Sequence, residues 1–162
     1  MAAQIGAPAA AIRAHEELFA YWNSLRRGLG LPARRDVDPG HLKRHLPTVS
    51  LVDVTPGEVP DYRFRLAGTA LYNVYGREVT GRGLAEVYGA AADYWRTELT
   101  KVVEERRPMV GVHNLAWRGA PHLSLIWLRM PLAPSPYADV DMILGYDAVV
   151  GMGHVITGIR AA

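Results

Sequence analysis

The chain contains no cysteine. That absence excludes disulfides, thiolate metal sites, cysteine nucleophiles and cysteinyl–flavin adducts. No apolar run reaches the length needed to cross a bilayer. Residues 1–11 are Ala-rich, but no positively charged stretch precedes an apolar one, so a secretory leader is not expected. Together these absences point to the cytoplasm. Recognised catalytic motifs are missing as well. None of Ser24, Ser50, Ser124 and Ser135 lies in a Gly-x-Ser-x-Gly elbow, and no Gly-rich run ends in Gly-Lys-Ser/Thr. Gly151-Met152-Gly153 lacks a third glycine and a following βαβ unit. The expectation is a protein that is not an enzyme.

What is present is an ordinary globular balance: 162 residues, 49% apolar and 21% charged, enough for one domain. The net charge is +2, with basic residues gathered early at Arg26, Arg27, Arg34, Arg35, Lys43 and Arg44. Asp36 and Asp38 interrupt them and no nucleic-acid motif accompanies them. A solvated face is therefore the reading, and nucleic acid is not an expected partner.

The pattern along the chain divides it into a tail at 1–10, an N-terminal helical segment at 11–47, a core at 48–150 and a C-terminal tail at 151–162. Leu18, Trp22, Leu25 and Leu29 recur at helical spacing, Tyr21 widens the stripe, and Gly28, Gly30 and Pro32 end it, which predicts an amphipathic helix over about 11–28. Asp38-Pro39 opens a short helix carrying Leu42 and Leu46. The runs 49–54 and 62–66, separated by Pro56-Gly57, read as an antiparallel hairpin. A short helix closes at Gly76, residues 77–88 read as irregular, and a longer helix covers about 89–106 with Ala91, Trp95, Leu99 and Val102 on one face. Three strand-like segments follow, at 109–117, 122–130 and 138–150. The order predicts an α+β fold: one five-stranded antiparallel sheet, helices mainly on one face, and an N-terminal amphipathic helix.

Several strings carry a resemblance. Leu18-x-x-Tyr21-Trp22-x-x-Leu25-Arg26 comes first, then Pro32-x-x-Arg35-Asp36-Val37-Asp38-Pro39, Leu46-Pro47 and Leu51-Val52-Asp53-Val54. Phe64-Arg65-Leu66-Ala67-Gly68-Thr69-Ala70-Leu71, Gly76-Arg77, Thr80-Gly81, Pro108 and Met130-Pro131-Leu132 continue it. In order and spacing, over roughly 15–150, this resembles a PAS-like family found mainly in alphaproteobacteria. The resemblance implies a PAS fold: a five-stranded sheet with a helical flank able to enclose a small molecule, often self-pairing or working with a signalling partner. It supplies no catalytic residues and no named cofactor.

The residues themselves offer a pocket lining: Leu66, Tyr72, Tyr75, Trp95, His113, Trp117 and Trp127. Ordinary core packing is the alternative for each. Leu18, Tyr21, Trp22 and Leu25 are candidates for a homodimer or partner contact, or else pack on the chain's own sheet. His41 and His45 are four apart, but no third ligand completes a metal spacing, so no metal is expected. His113, in an apolar strand, is a hydrogen-bonded core residue, a ligand contact, an axial haem donor or a pH-responsive group. Glu104-Glu105, Asp139 and Asp141 read as solvated, and Arg63 and Arg65 as a solvent-facing sheet edge. The function expected is a stand-alone PAS-type sensor or adaptor that binds a small ligand or protein partner and signals in trans, with no membrane span. The alternatives are a small α+β cone-type enzyme acting on an apolar substrate, and a ligand-free structural interaction module.

Overall fold

A computed structural model describes residues 5–151. Strand β1 is Ile5–Gly6 and helix α1 is Pro8–Ser24. Pro8 opens α1, where its missing N–H costs nothing. Helical spacing puts Ala11, Ala14, Leu18 and Trp22 on one buried face. The helix ends at Ser24, earlier than the apolar stripe suggests, and Leu29 is 84% exposed.

Three single turns follow, at Arg34–Asp36, Pro39–Leu42 and Leu46–Thr48. Asp38 caps the second by accepting from the Gly40 N–H at 2.8 Å. The short helix expected there is a pair of 3-10 turns instead, because Pro47 withholds the N–H that a longer helix would need.

Strands β2 (Val49–Thr55) and β3 (Asp61–Ala67) form the predicted hairpin. Helices α2 (Leu71–Tyr75), α3 (Leu84–Tyr88) and α4 (Ala92–Glu105) come next. Gly76, at φ 76°, ends α2 in the left-handed conformation that glycine adopts freely. Helix α3 falls in a stretch read from sequence as irregular. Its Leu84, Val87 and Tyr88 give too short a repeat to register as periodicity. Strands β4 (Met109–Leu115), β5 (Ala120–Leu132) and β6 (Met142–Gly151) complete the chain.

The sheet order is β3-β2-β6-β5-β4, with every neighbouring pair antiparallel. The five predicted segments therefore share one layer. β1 adds a two-residue parallel pairing to β6 (Ile5 opposite Val149), inside the stretch read as a tail.

Register fixes which side chains share a face, because directly opposed residues point the same way. Phe64, Val52 and Ile143 lie on one face with Trp127, Arg129, Asp147 and His113. Helices α2, α3 and α4 cover it, and we call it the inner face. Leu51, Leu144, Tyr146, Leu128 and Val110 lie on the other. Helix α1 crosses this outer face: the Trp22 indole N–H donates to the Pro131 carbonyl at 2.9 Å, and His15 meets Tyr146 edge-on at 5.4 Å, as His45 from the turns after α1 does at 5.9 Å.

Candidate functional site

Two charges occur in β5 and β6, where nearly everything else is apolar. Arg129 and Asp147 are sealed on the inner face, and the Arg129 Nη2 donates to Asp147 Oδ1 at 2.9 Å. The guanidinium also donates through Nη1 to the carbonyls of Leu128 (2.9 Å) and Tyr146 (3.1 Å). Its carbon lies 4.8 Å from the Trp95 ring centroid and 5.8 Å from that of Trp127. Tyr75, on α2, donates to the second carboxylate oxygen of Asp147 at 2.5 Å, and Tyr88, on α3, donates to the Tyr75 hydroxyl at 3.3 Å. This network ties two helices to two strands. Burial, joined by the Asp147 charge, pushes the Tyr75 phenol well above its ordinary value. Burial likewise raises Tyr88, so both hydroxyls stay protonated donors. For Arg129 desolvation is the largest single effect and lowers its pKa, but the Asp147 charge, Tyr75, Tyr88 and the hydrogen bond to Asp147 together outweigh it and raise the pKa, so the guanidinium stays protonated.

Two glycines make room for this cluster. A Cβ at Gly145 would lie 3.1 Å from Arg129 Nη1 and 2.6 Å from Ser50 Oγ. A Cβ at Gly111 would lie 2.3 Å from Trp127 Cζ2, so the indole rests directly on the β4 backbone.

Beside the ion pair runs a row of touching rings. Trp117 meets Tyr88 at 5.6 Å, Tyr88 stacks on Trp95 at 4.9 Å, Trp95 meets His113 at 5.8 Å, and His113 stacks on Tyr94 at 4.0 Å. The Trp127 indole N–H donates to the Tyr94 hydroxyl at 3.1 Å. Three buried nitrogens in the row have no hydrogen-bond partner among the described residues: Trp95 Nε1, His113 Nε2 and Trp117 Nε1. Buried polar atoms are ordinarily paired, and an unpaired one is costly. Burial lowers the His113 pKa, which favours the neutral ring.

Of the seven pocket candidates, Tyr75, Trp95, His113, Trp117 and Trp127 come together here. Leu66 and Tyr72 do not. A bulge between Leu51 and Val52 leaves Arg65 as the extra residue and sets Leu66 opposite Leu51, on the outer face, where it is 50% exposed. Tyr72 is 56% exposed, on the side of α2 away from buried Leu71 and Tyr75.

The four partner-contact candidates are engaged within the chain. Leu18 and Trp22 are buried under α1, and Leu25 packs partly buried against the same core. The Tyr21 hydroxyl accepts from the Asp38 N–H at 2.8 Å, and its ring stacks on His41 at 5.1 Å. His41 and His45 pair with Asp38 and Glu17 respectively. Arg65 pairs with Asp53 across the outer face.

Tyr88, Tyr94, Arg129 and Asp147 belong to the site without having been candidates. The last two carried a readable signal: opposite charges in two long apolar strands must be paired if both strands are buried.

Among the described residues no helix is long and apolar enough to cross a membrane. No curated protein matches the chain in sequence. Solved structures similar to it include a light-oxygen-voltage domain studied with a flavin analogue (14% identity over 75% of this chain and 90% of that chain, TM-score 0.53). An RNA-binding light-oxygen-voltage receptor is similar at 15% identity over 75% of this chain and 34% of that chain, TM-score 0.51. The Rhodobacter sphaeroides LOV protein matches at 15% identity over 72% of this chain and 70% of that chain, TM-score 0.48. At these identities the likeness is one of fold. The family described as PAS domain matches residues 11–146, nearly the whole chain, and the protein belongs to the PAS domain family.

Proposed function

We propose that this PAS domain is a sensor module that binds a small molecule bearing hydrogen-bond acceptors at the inner-face row of rings and passes the occupancy to a partner. The carrying observation is the set of three unpaired buried nitrogens, Trp95 Nε1, His113 Nε2 and Trp117 Nε1, in one line of ring contacts. Two are indole N–H groups, which only donate, so the fitting ligand supplies carbonyl or carboxylate oxygens.

A route for the signal is built from adjacent contacts. Trp117 stands in the turn Ala116–Arg118, and Arg118 donates from Nη1 to the carbonyls of Asn73 and Val74 on α2. α2 is held to the sheet by Tyr75 and Asp147. A ligand bridging Trp95 and Trp117 thus favours one arrangement of that turn over others and biases α2 with it. The reading is of binding rather than turnover. The carboxylate most deeply placed in the site is committed to Arg129 and Tyr75, which supports a structural use for it.

Cysteinyl–flavin adduct chemistry does not carry over from the flavin named for one structural neighbour, because it needs a thiol and the sequence has none.

A ligand-free interaction module is the second reading, favoured by the Tyr88–Trp95 stack that already fills space between the helices and the sheet. Native mass spectrometry against denaturing mass spectrometry of the purified protein separates the two. The sensor reading expects added mass that denaturation removes, and the interaction-module reading expects the bare chain in both.

A further inference from the structure

The unpaired nitrogens in the row of rings differ in what they ask of a ligand. Trp95 Nε1 and Trp117 Nε1 are indole N–H groups, which donate and never accept. His113 Nε2 is a donor or an acceptor in the neutral ring, and a donor only once the ring is protonated. With a proton on His113, all three are buried donors. A single carbonyl oxygen offers too few lone pairs for them, whereas the oxygens of a carboxylate together offer about four acceptor sites.

The surrounding charges decide what such an anion meets. β4 carries no charged residue other than His113. On α4, the Tyr94 phenol stacked on His113 is kept protonated by burial, and Glu98 pairs with Lys101 at 2.9 Å. On α3, burial likewise keeps Tyr88 protonated. Arg129 of β5 pairs with Asp147 of β6. In the turn Ala116–Arg118, the Arg118 guanidinium donates to carbonyls of α2. An anion among the rings therefore finds its neighbouring cations already committed, and an uncompensated buried charge is costly. His113 is the member of the row that can become a cation. Burial holds its ring neutral before a ligand arrives, with no neighbouring charge contributing.

We propose that the inner-face site takes a carboxylate ligand and that His113 gains a proton as it binds, so that anion and imidazolium are buried as a neutral pair. The proposal rests on the row of rings being a binding site, and adds the charge of the ligand and its coupling to pH. The balance is simple: neutral site, carboxylate and one proton from solvent give the complex, and no covalent bond of the ligand changes. An amide of the same shape brings no charge, leaves His113 neutral and takes up no proton. Occupancy by the carboxylate, and with it the bias on the turn at Trp117, rises as pH falls.

The test is calorimetric titration of the full chain with benzoate and with benzamide, in buffers of unlike ionisation enthalpy. The Trp95 and Trp117 indole N–H signals and the His113 ring signals are read alongside. The expected result is uptake of about one proton per benzoate and none per benzamide, with the His113 ring moving to its protonated position under benzoate alone. From about pH 6.5 up to the pKa that His113 reaches in the complex, benzoate should lose up to about tenfold in affinity per pH unit, while benzamide stays level. His113→Gln should bind benzoate more weakly, with no uptake and no such slope. Should that variant fail to fold by circular dichroism, the His113 ring signal in the unaltered protein still decides. Benzoate that moves the Trp95 and Trp117 signals without proton uptake, or uptake that persists in His113→Gln, would overturn the proposal and leave the binding site standing. Indole signals that neither probe moves would overturn both.

Discussion

Arg129, opposite Gly145, reaches diagonally across the β5–β6 ladder to Asp147, opposite Trp127, 2.9 Å away, with both side chains closed off from water. Breaking such a pair from one side strands the other charge in a low-dielectric interior, which costs about 3–5 kcal/mol. Asp147→Ala is therefore expected to lower unfolding stability by about that amount. It also deprives the Tyr75 hydroxyl of its acceptor, so α2 amides should exchange faster. The double variant Arg129→Met, Asp147→Leu removes both charges and should recover most of the loss. Urea unfolding of the three proteins checks the order.

Gly111 offers a separate test of how tightly the inner face is packed. An alanine there sets its methyl 2.3 Å from the Trp127 ring, so the indole must leave its place or the strand must bend. The expected cost is about 1–3 kcal/mol. Because Trp127 would lose its hydrogen bond to Tyr94, its indole N–H resonance should shift more than that of Trp22, which is bound to Pro131 across the other face. Thermal unfolding and a nitrogen–proton correlation spectrum read the two effects.

Acid should weaken the fold through α1. Burial first, and the Arg129 charge second, bring the His15 pKa down from its ordinary 6.5 to about 4. Its Nε2 has no partner among the described residues. The unfolded chain thus binds a proton that the folded chain refuses. The stability tied to a neutral His15 is complete above about pH 6.5 and is lost as pH falls toward about 4. Its size is about 2 kcal/mol, below the full value of the shift because the ring is partly exposed. His113, also lowered by burial, adds a loss of the same sign. His15→Leu should flatten the fall, gaining more over the natural protein at about pH 5 than at about pH 7.5. Urea midpoints at the two pH values measure it.

The sheet was legible because its signals are local. Alternation in 61–67, apolar runs in β5 and β6, and turn residues between them define strands without reference to distant partners. Strand faces were not legible where a bulge intervenes. Alternation continued from Phe64 points Leu66 inward, and only the pairing with β2 reveals the extra residue at Arg65. Helix α1 was visible as amphipathic, but periodicity does not say which surface receives its stripe. The unpaired outer face of the chain's own sheet does, and a partner need not. The glycines at 111 and 145 carried no sign of their purpose, because what they accommodate comes from neighbouring strands: Trp127 of β5 at Gly111, and Ser50 of β2 with Arg129 of β5 at Gly145.

Ligand binding at the proposed site, the row of rings, can be followed through the four tryptophan indoles, which report on it separately. Trp22 and Trp127 already have acceptors, while Trp95 and Trp117 have none among the described residues. Titrating the protein with small acceptor-bearing probes (acetate, benzoate and benzamide) while recording the indole N–H resonances puts the claim to the test. The expected result is saturable downfield movement of the Trp95 and Trp117 signals, with Trp22 unmoved. Indole signals of Trp95 and Trp117 that stay fixed under every probe, in a protein that also purifies without bound small molecules, would contradict it.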